Sequence, residues 1–442
     1  MQVTARPRHD DAAAPSADRS PPPRRADDRP APATWRNLST AAVVAGSSAL
    51  AVVVGIDGSV GWRLLRVVAA VAIGALLWWV QLRPHGWIAT GCAATIGVAV
   101  GLGLLPHLID GGRPPLALAS IVLAVSSLWL LGAGWLRAVG RRRWPWKVAG
   151  IVVSVAMLAL AAATITPAVV ATNVAPTTLE VTPGDLGLAA TDVRFETSDG
   201  VELAGWYVAS TTGAAVVLRH GAGSTRSDVL DEAVVLARHG YGVLLTDARG
   251  HGESGGRAMD FGWFGDEDVA AAVRFLADRP DVDPARIGLV GLSMGGEEVI
   301  GAAPAVPDVG AIVAEGATAR TAADKTWLSD VYGVRGWVQE QIERVQDSLT
   351  DLLTDADRPT PLWDAIGGSD ASFLLLTAGR IADESEAARH LATAAPGRVE
   401  VWTIEGAPHV GGLATAPADW ERRVVGFLDD HLLTTDRRES GP

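Results

Sequence analysis

The chain of 442 residues holds a single cysteine, Cys92, which excludes an intramolecular disulfide and a thiolate zinc cluster. Cys92 lies in an apolar run and is expected to be a small buried hydrophobe. No pair of histidines has ligand spacing, so no metal site is expected. No glycine-rich loop ends in Lys-Ser/Thr, and the G-x-G near Gly221 lacks the rest of a dinucleotide fingerprint, so no cofactor is expected. Basic residues are scarce in the second part of the chain. Residues 177–442 carry 21 Lys+Arg against 43 Asp+Glu, a poor footprint for a phosphate backbone, which argues against nucleic acid as a partner.

What is present divides at about residue 176. Residues 1–35 are rich in Pro, Ala, Asp and Arg, with a PPPRR stretch, and cannot bury enough surface to offset ordering; they read as a disordered tail. Five apolar runs follow, about Leu38–Ile56, Leu64–Leu82, Trp87–Ile109, Pro115–Trp135 and Val148–Val170. Each matches the about 20 residues a helix needs to cross a hydrocarbon core of about 30 Å. Only a helix satisfies its backbone there unaided, so 36–172 reads as a helical transmembrane region of about five spans. Trp62, Trp87, Trp144 and Trp146 fall near the run ends, where indoles favour the interface. The runs hold no acid, and His107 is the one ionisable group inside its run, so the region reads as an anchor rather than an ion pathway. Arg141, Arg142, Arg143 and Lys147 form the densest basic cluster and are expected in the cytoplasm. That places the N-terminus inside and, after five crossings, the acidic half outside.

Residues 173–191 read as a linker. From 192 to 434 short strands alternate with helices, which implies a mostly parallel, doubly wound α/β sheet; 435–442 is a tail. DVRFETSDGVELAGWYVA is expected to open it as a hairpin turning at Ser198-Asp199-Gly200. An insertion at about 318–371 looks like a cap. Its stretch VRGWVQEQIERVQDSLTDLL places Val334, Trp337, Val338, Ile342, Val345 and Leu349 on one helical face.

G-x-S-x-G occurs twice. Gly291-Leu292-Ser293-Met294-Gly295 follows the apolar strand RIGLV and opens a helix, the setting of an exposed nucleophile. Gly252-Glu253-Ser254-Gly255-Gly256 leads into no helical pattern and reads as a loop. A serine hydroxyl needs a base, and the base an orienting acid. Among the histidines after Ser293, His409 lies in the loop Gly406–Gly412 between the last strand and the last helix and is the candidate base. The acid is Asp383 or Glu384 in the loop after SFLLLTAG. Asp383 is preferred as nearer the strand end, and Glu384 is the alternative, free to head the next helix. Glu315, ending VGAIVAE, is a third possibility. His220-Gly221-Ala222-Gly223 can turn the Ala222 amide towards Ser293, to form with the Met294 amide an oxyanion hole. Asp247, Arg249 and His251 read as braces of a loop, and Glu297 and Glu298 as complements of the helix dipole rather than contacts for a substrate amine.

Together these motifs resemble the α/β-hydrolase superfamily over Asp192–Leu433, in its serine-esterase, acyl-protein-thioesterase-like and serine-aminopeptidase-like branch. The resemblance rests on Asp199–Tyr207 (DG-x-x-L-x-G-W-Y), His220-Gly221, Asp247–Gly256 (D-x-RGHG-x-S-x-G) and the G-x-S-M-GG elbow. It implies a Ser-acid-His hydrolase acting through an acyl-enzyme. The family often spaces its acid as G-x-x-D, whereas Gly379–Asp383 is one residue longer, which keeps both acids open. The expected activity is cleavage of a carboxylic ester, small or lipid-like, at a membrane. A hydrolase-fold binding or sensor domain without activity, and a peptidase or acyltransferase with the same residues, are the alternatives.

Overall fold

The computed structural model describes residues 33–433, apart from 56–59, 84, 110–111, 140–142, 176 and 258. The expected tail 435–442, most of the tail 1–35, and Arg141 and Arg142 therefore lie outside the described residues. The first helix begins at Ala33, inside the segment expected to be tail.

Five long helices come first: α1 (Ala33–Val54), α2 (Val60–Gln81), α3 (Gly86–Gly103), α4 (Pro114–Val139) and α5 (Trp144–Thr172). All five are long and apolar enough to cross a membrane. Small residues let them approach closely. A Cβ on Gly101 would stand 3.1 Å from the Ala124 amide nitrogen, and one on Gly103 would stand 2.7 Å from the Val169 side chain. Ser120 and Thr166 donate across helices to the carbonyls of Gly101 (2.8 Å) and Ala99 (3.0 Å). Cys92 departs from expectation, since it sits on the outer face of the bundle. His107 is buried at one end of it, 2.9 Å by Nε2 from the Asn173 carbonyl.

The second half is a mixed eight-stranded sheet in the order β1-β2-β4-β3-β5-β6-β7-β8. β1 (Thr191–Glu196) and β2 (Glu202–Val208) form the opening hairpin, and β2 is antiparallel to β4 (Gly242–Thr246). β3 (Ala215–Arg219), β5 (Ile287–Leu292), β6 (Ala311–Glu315), β7 (Ser372–Ala378) and β8 (Val399–Ile404) continue in parallel. Parallel strands need crossovers, supplied here by α6 (Leu230–Arg238), α7 (Gly265–Ala277), α8 (Met294–Gly301), α9 (Val334–Leu353, in the insertion) and α10 (Ala382–Ala392), while α11 (Pro417–Leu428) follows the last strand. Helices cover both sheet faces, which explains why β3, β4, β5 and β6 are buried at every position and read as apolar runs rather than alternating, with Arg219, Thr246 and Glu315 at the ends of β3, β4 and β6. The strand order reverses at β3, so the helices after β3 and β5 pack on opposite faces and the loops after the two strands lie side by side at the switch point.

Val334, Trp337, Val338 and Val345 do share a face of α9, but that face is exposed, and the polar side of the helix is packed against the protein.

Candidate active site

Ser293 occupies the turn from β5 into α8 with φ 54° and ψ −120°, a conformation costly for a residue with a side chain. The Ser293 amide donates to the Glu315 carbonyl at 2.7 Å, holding the turn against β6. Glycine is obligatory on both sides. A Cβ on Gly291 would stand 2.2 Å from the Gly295 carbonyl oxygen, and one on Gly295 2.6 Å from the carbonyl oxygens of Arg219 and His220. The tight turn lifts the hydroxyl to the start of α8, where the first helical amides lack intrahelical acceptors.

His409 reaches this hydroxyl from the loop after β8, with Nε2 2.8 Å from Ser293 Oγ. Its Nδ1 lies 2.6 Å from Glu384 Oε1. The acid beside His409 is thus the alternative of the two weighed, not Asp383. The reason is helical phase. α10 starts at Ala382, so successive side chains diverge by about 100°. Glu384 turns inward, its Oε2 also accepting from the Ala378 amide at 2.7 Å, whereas Asp383 turns outward and accepts from the Tyr332 hydroxyl at 2.6 Å. Glu315 is the third possibility for the acid. It accepts from the Gly412 amide (2.7 Å) and Trp420 Nε1 (3.1 Å), so it fixes the loop that carries His409 rather than touching the ring.

The hydrogen bond that His409 donates to Glu384 raises the His409 pKa above the ordinary histidine value, against the opposing effect of partial burial. Glu297, half-buried on α8, accepts from the amides of Thr318 (3.0 Å) and Ala319 (2.9 Å), and burial pushes its carboxyl up to about 7. Its negative charge also favours the protonated form of His409. Glu298, one residue on, faces the opposite way and is buried against Arg219, with Nε 2.8 Å and Nη2 2.5 Å from Oε2.

On the far side of Ser293, Gly221 approaches so closely that a Cβ on it would stand 3.1 Å from Ser293 Cβ. This brings the loop holding Ala222 beside the hydroxyl, while Met294 follows Ser293 as the first residue of α8. Two buried histidines brace the loop. His220 Nδ1 meets the Gly221 carbonyl (2.7 Å) and its Nε2 accepts from the Ala248 amide (2.9 Å). His251 Nδ1 meets the Arg249 carbonyl (3.1 Å) and its Nε2 accepts from the Gly223 amide (3.2 Å). Each ring needs one donor and one acceptor nitrogen, which fixes a neutral tautomer, and burial lowers both pKa values in the same sense.

Ser254 is far from this chain of bonds. It accepts from the Ala204 amide (2.9 Å) and donates to the Asp247 carbonyl (2.8 Å), so it ties β2 to the loop after β4. Asp247 accepts from the amides of Arg226 (2.8 Å) and Glu253 (2.9 Å), and pairs with the Arg226 guanidinium. Arg249 bridges Asp268 and Asp199, both at 2.7 Å. The Arg219 pair was not foreseen. Its signal was an arginine ending the apolar stretch AAVVLR, where a buried cation demands a carboxylate.

A nucleophile turn at the switch point of a mixed eight-stranded sheet, with a loop histidine and a buried acid, defines a fold class: the C-terminal half has the α/β-hydrolase fold. Within that class, residues 210–358 match the family of serine aminopeptidases, S33. An uncharacterized protein of Mycobacterium tuberculosis is 41% identical over 118 residues, which are 26% of this chain and 41% of that protein. The thiohydrolase aneE of Aspergillus aculeatus is 40% identical over 116 residues, 25% of this chain and 36% of that protein. The chain therefore spans less than half the length of these curated relatives. Among solved structures, an esterase of Pyrococcus furiosus superposes with a TM-score of 0.49 at 25% identity, covering 59% of this chain and 98% of that one.

Proposed function

We propose that the chain is a serine esterase held at a membrane by its N-terminal helices. The observation that carries this reading is the continuous chain of hydrogen bonds Glu384–His409–Ser293, ending on a strained turn. Such strain is kept only where surrounding structure over-determines it, and it presents the hydroxyl to a carbonyl. His409 Nε2 takes the Ser293 proton as Oγ attacks an ester carbonyl carbon. The amides of Ala222 and Met294 hold the oxyanion. Collapse expels the alcohol, which takes its proton from His409, and water then cleaves the acyl-enzyme by the same route, returning serine and a carboxylic acid. Glu384 holds the ring in the tautomer with Nδ1–H and stabilises the imidazolium.

Labelling of the full chain in detergent by a fluorophosphonate probe tests the assignment. Label is expected on wild type and on Ser254→Ala, and lost in Ser293→Ala and His409→Ala. An unlabelled, folded wild type would replace the esterase by a binding domain without activity. The name of the Aspergillus relative favours a second substrate class, the thioester, whose carbonyl is open to the same attack. A matched oxygen- and thioester pair separates the two by kcat/KM.

The side of the membrane follows from charge. Arg83, Arg137, Arg143 and Lys147 lie at the bundle end opposite to the catalytic half, and basic residues stay cytoplasmic. Protease added outside intact cells is expected to remove the catalytic half; full protection would invert the topology.

A further inference from the structure

α9 has its polarity reversed relative to a helix that packs on a protein core. Val334, Trp337, Val338, Val345 and Leu352 are exposed, Val334 by 80% and Leu352 by 71%. At about 100° per residue the five fall within an arc of about 100°, one stripe roughly 27 Å long at 1.5 Å per residue. The residues turned inward are Glu340, Glu343, Asp347 and Thr350. Glu340 accepts from the Ser329 amide (2.7 Å), Glu343 pairs with Lys325 (2.9 Å) and Asp347 with Arg358 (2.9 Å). A soluble protein does not spend its polar side chains on the inside of a surface helix and leave five large apolar ones in water.

The position of α9 says what covers the stripe. It packs along α5, the last candidate span. α5 has 29 residues, more than the about 20 that cross the hydrocarbon, and its buried residues lie in its second half, Ala161 to Thr172. Leu353, at the end of α9, joins the bundle cluster of Leu104, Leu116, Ile165 and Val169, where α3 ends and α4 begins. Two residues on, Asp355 pairs with Arg66 of α2 at 3.1 Å. α9 therefore lies at the level where the spans leave the membrane. Its other end leads to Tyr332, which donates to Asp383 beside Glu384. One helix joins the rim of the active site to the membrane boundary.

We propose that the stripe on α9 rests in the acyl–headgroup boundary of the bilayer that the five helices cross, and that the active site takes from it an ester with a long acyl chain. The location of α9 is argued from packing alone; the substrate class rests also on the esterase reading. A helix with one apolar face, a tryptophan and no charge within the stripe is suited to lie in that boundary. An acyl chain shed there enters the site without crossing water.

The test uses the full chain in phosphatidylcholine–phosphatidylglycerol vesicles. In a Cys92→Ala background, single changes Val338→Cys, Val345→Cys and Leu352→Cys, with Arg344→Cys as an exposed polar control at the edge of the stripe, carry an environment-sensitive fluorophore. Quenching by lipids with nitroxides on their acyl chains is expected to be at least three-fold stronger at 338, 345 and 352 than at 344, with iodide showing the opposite order. Strong iodide quenching along the stripe overturns the proposal, and so does shielding from both quenchers, which would mean a second copy or another protein covers it. In parallel, Val338→Glu with Val345→Glu is expected to lower, at least ten-fold, the ratio of kcat/KM for a vesicle-embedded long-chain ester to that for p-nitrophenyl acetate. An unchanged ratio overturns the substrate class. A wild type that cleaves neither ester defeats the esterase reading and the substrate class with it, while the quenching pattern still decides the position of α9.

Discussion

The two halves of the molecule sort their side chains in opposite ways. In the sheet domain Val216, Val217, Leu218, Val243, Leu244 and Leu245 are fully buried, as water demands. In the helical bundle Val68, Val71, Leu76, Val152 and Leu160 point outward, while Thr90, Thr95, Ser120, Ser126 and Ser127 are buried. That inversion supports the proposed membrane setting, in which close contact of small residues replaces the hydrophobic effect. Buried charge divides the halves as well. Arg219, Glu298 and Asp268 sit together in the sheet domain, and the described part of the bundle interior holds hydroxyls and His107 instead. α9 belongs by sequence to the sheet domain and by its surface to the bundle.

The largest effects are expected where the sheet domain positions charge. Glu384→Gln removes the carboxylate from His409 and should lower kcat/KM by about 10²–10⁴-fold, while Asp383→Asn, which loses a contact with Tyr332, should stay within about three-fold of wild type; equal losses would return the acid assignment to Asp383. Arg219→Met leaves Glu298 buried without its partner and should destabilise the domain by about 3–5 kcal/mol, read by chemical denaturation in detergent.

The pH profile follows in size. His409 acts as a base only when neutral, and its pKa is raised, so activity should rise with pH through a midpoint above the ordinary value of about 6.5. Glu297, with its carboxyl at about 7, ionises over the same range and makes His409 hold its proton more firmly. Glu297→Gln should therefore move the midpoint down. A midpoint that stays in place would detach Glu297 from the titration of the base.

Much of this was legible in the chain. The five runs, every strand of the sheet and the Ser293 turn are fixed by local pattern: length, apolar continuity, and glycines where a side chain cannot fit. The choice between Asp383 and Glu384 was not, because it depends on the residue at which α10 begins, and a shift of one position exchanges the inward and outward acids. The helical periodicity of Val334, Trp337, Val338 and Val345 was equally plain, yet periodicity gives a face and not what lies against it. The outward position of Cys92 has the same origin. An apolar residue in a span has two apolar surroundings, protein and lipid, and its sequence neighbours do not separate them. The Arg219–Glu298 pair joins residues 79 apart in sequence, so neither local pattern could announce the other.

The smallest predicted effects compare one hydroxyl in each half. Ser254 satisfies a buried amide and a buried carbonyl in the sheet domain, and Ser254→Ala should cost about 1–3 kcal/mol with fluorophosphonate labelling retained. Ser120 of α4 donates to the Gly101 carbonyl at 2.8 Å. Gly101 lies in the last turn of α3, and the Leu105 amide four residues on donates to Leu102 instead, which leaves the Gly101 carbonyl to Ser120. In water such a carbonyl would find solvent on unfolding. Within a bilayer the separated helices find other partners, so interhelical bonds there average only about 0.6 kcal/mol and reach about 1.7. Ser120→Ala, which removes the donor and little volume, should fall in that range when unfolding is followed in mixed micelles. A cost as large as that of Ser254→Ala would mean that the carbonyl of Gly101 has water as its unfolded partner, and that this end of α3 stands outside the membrane.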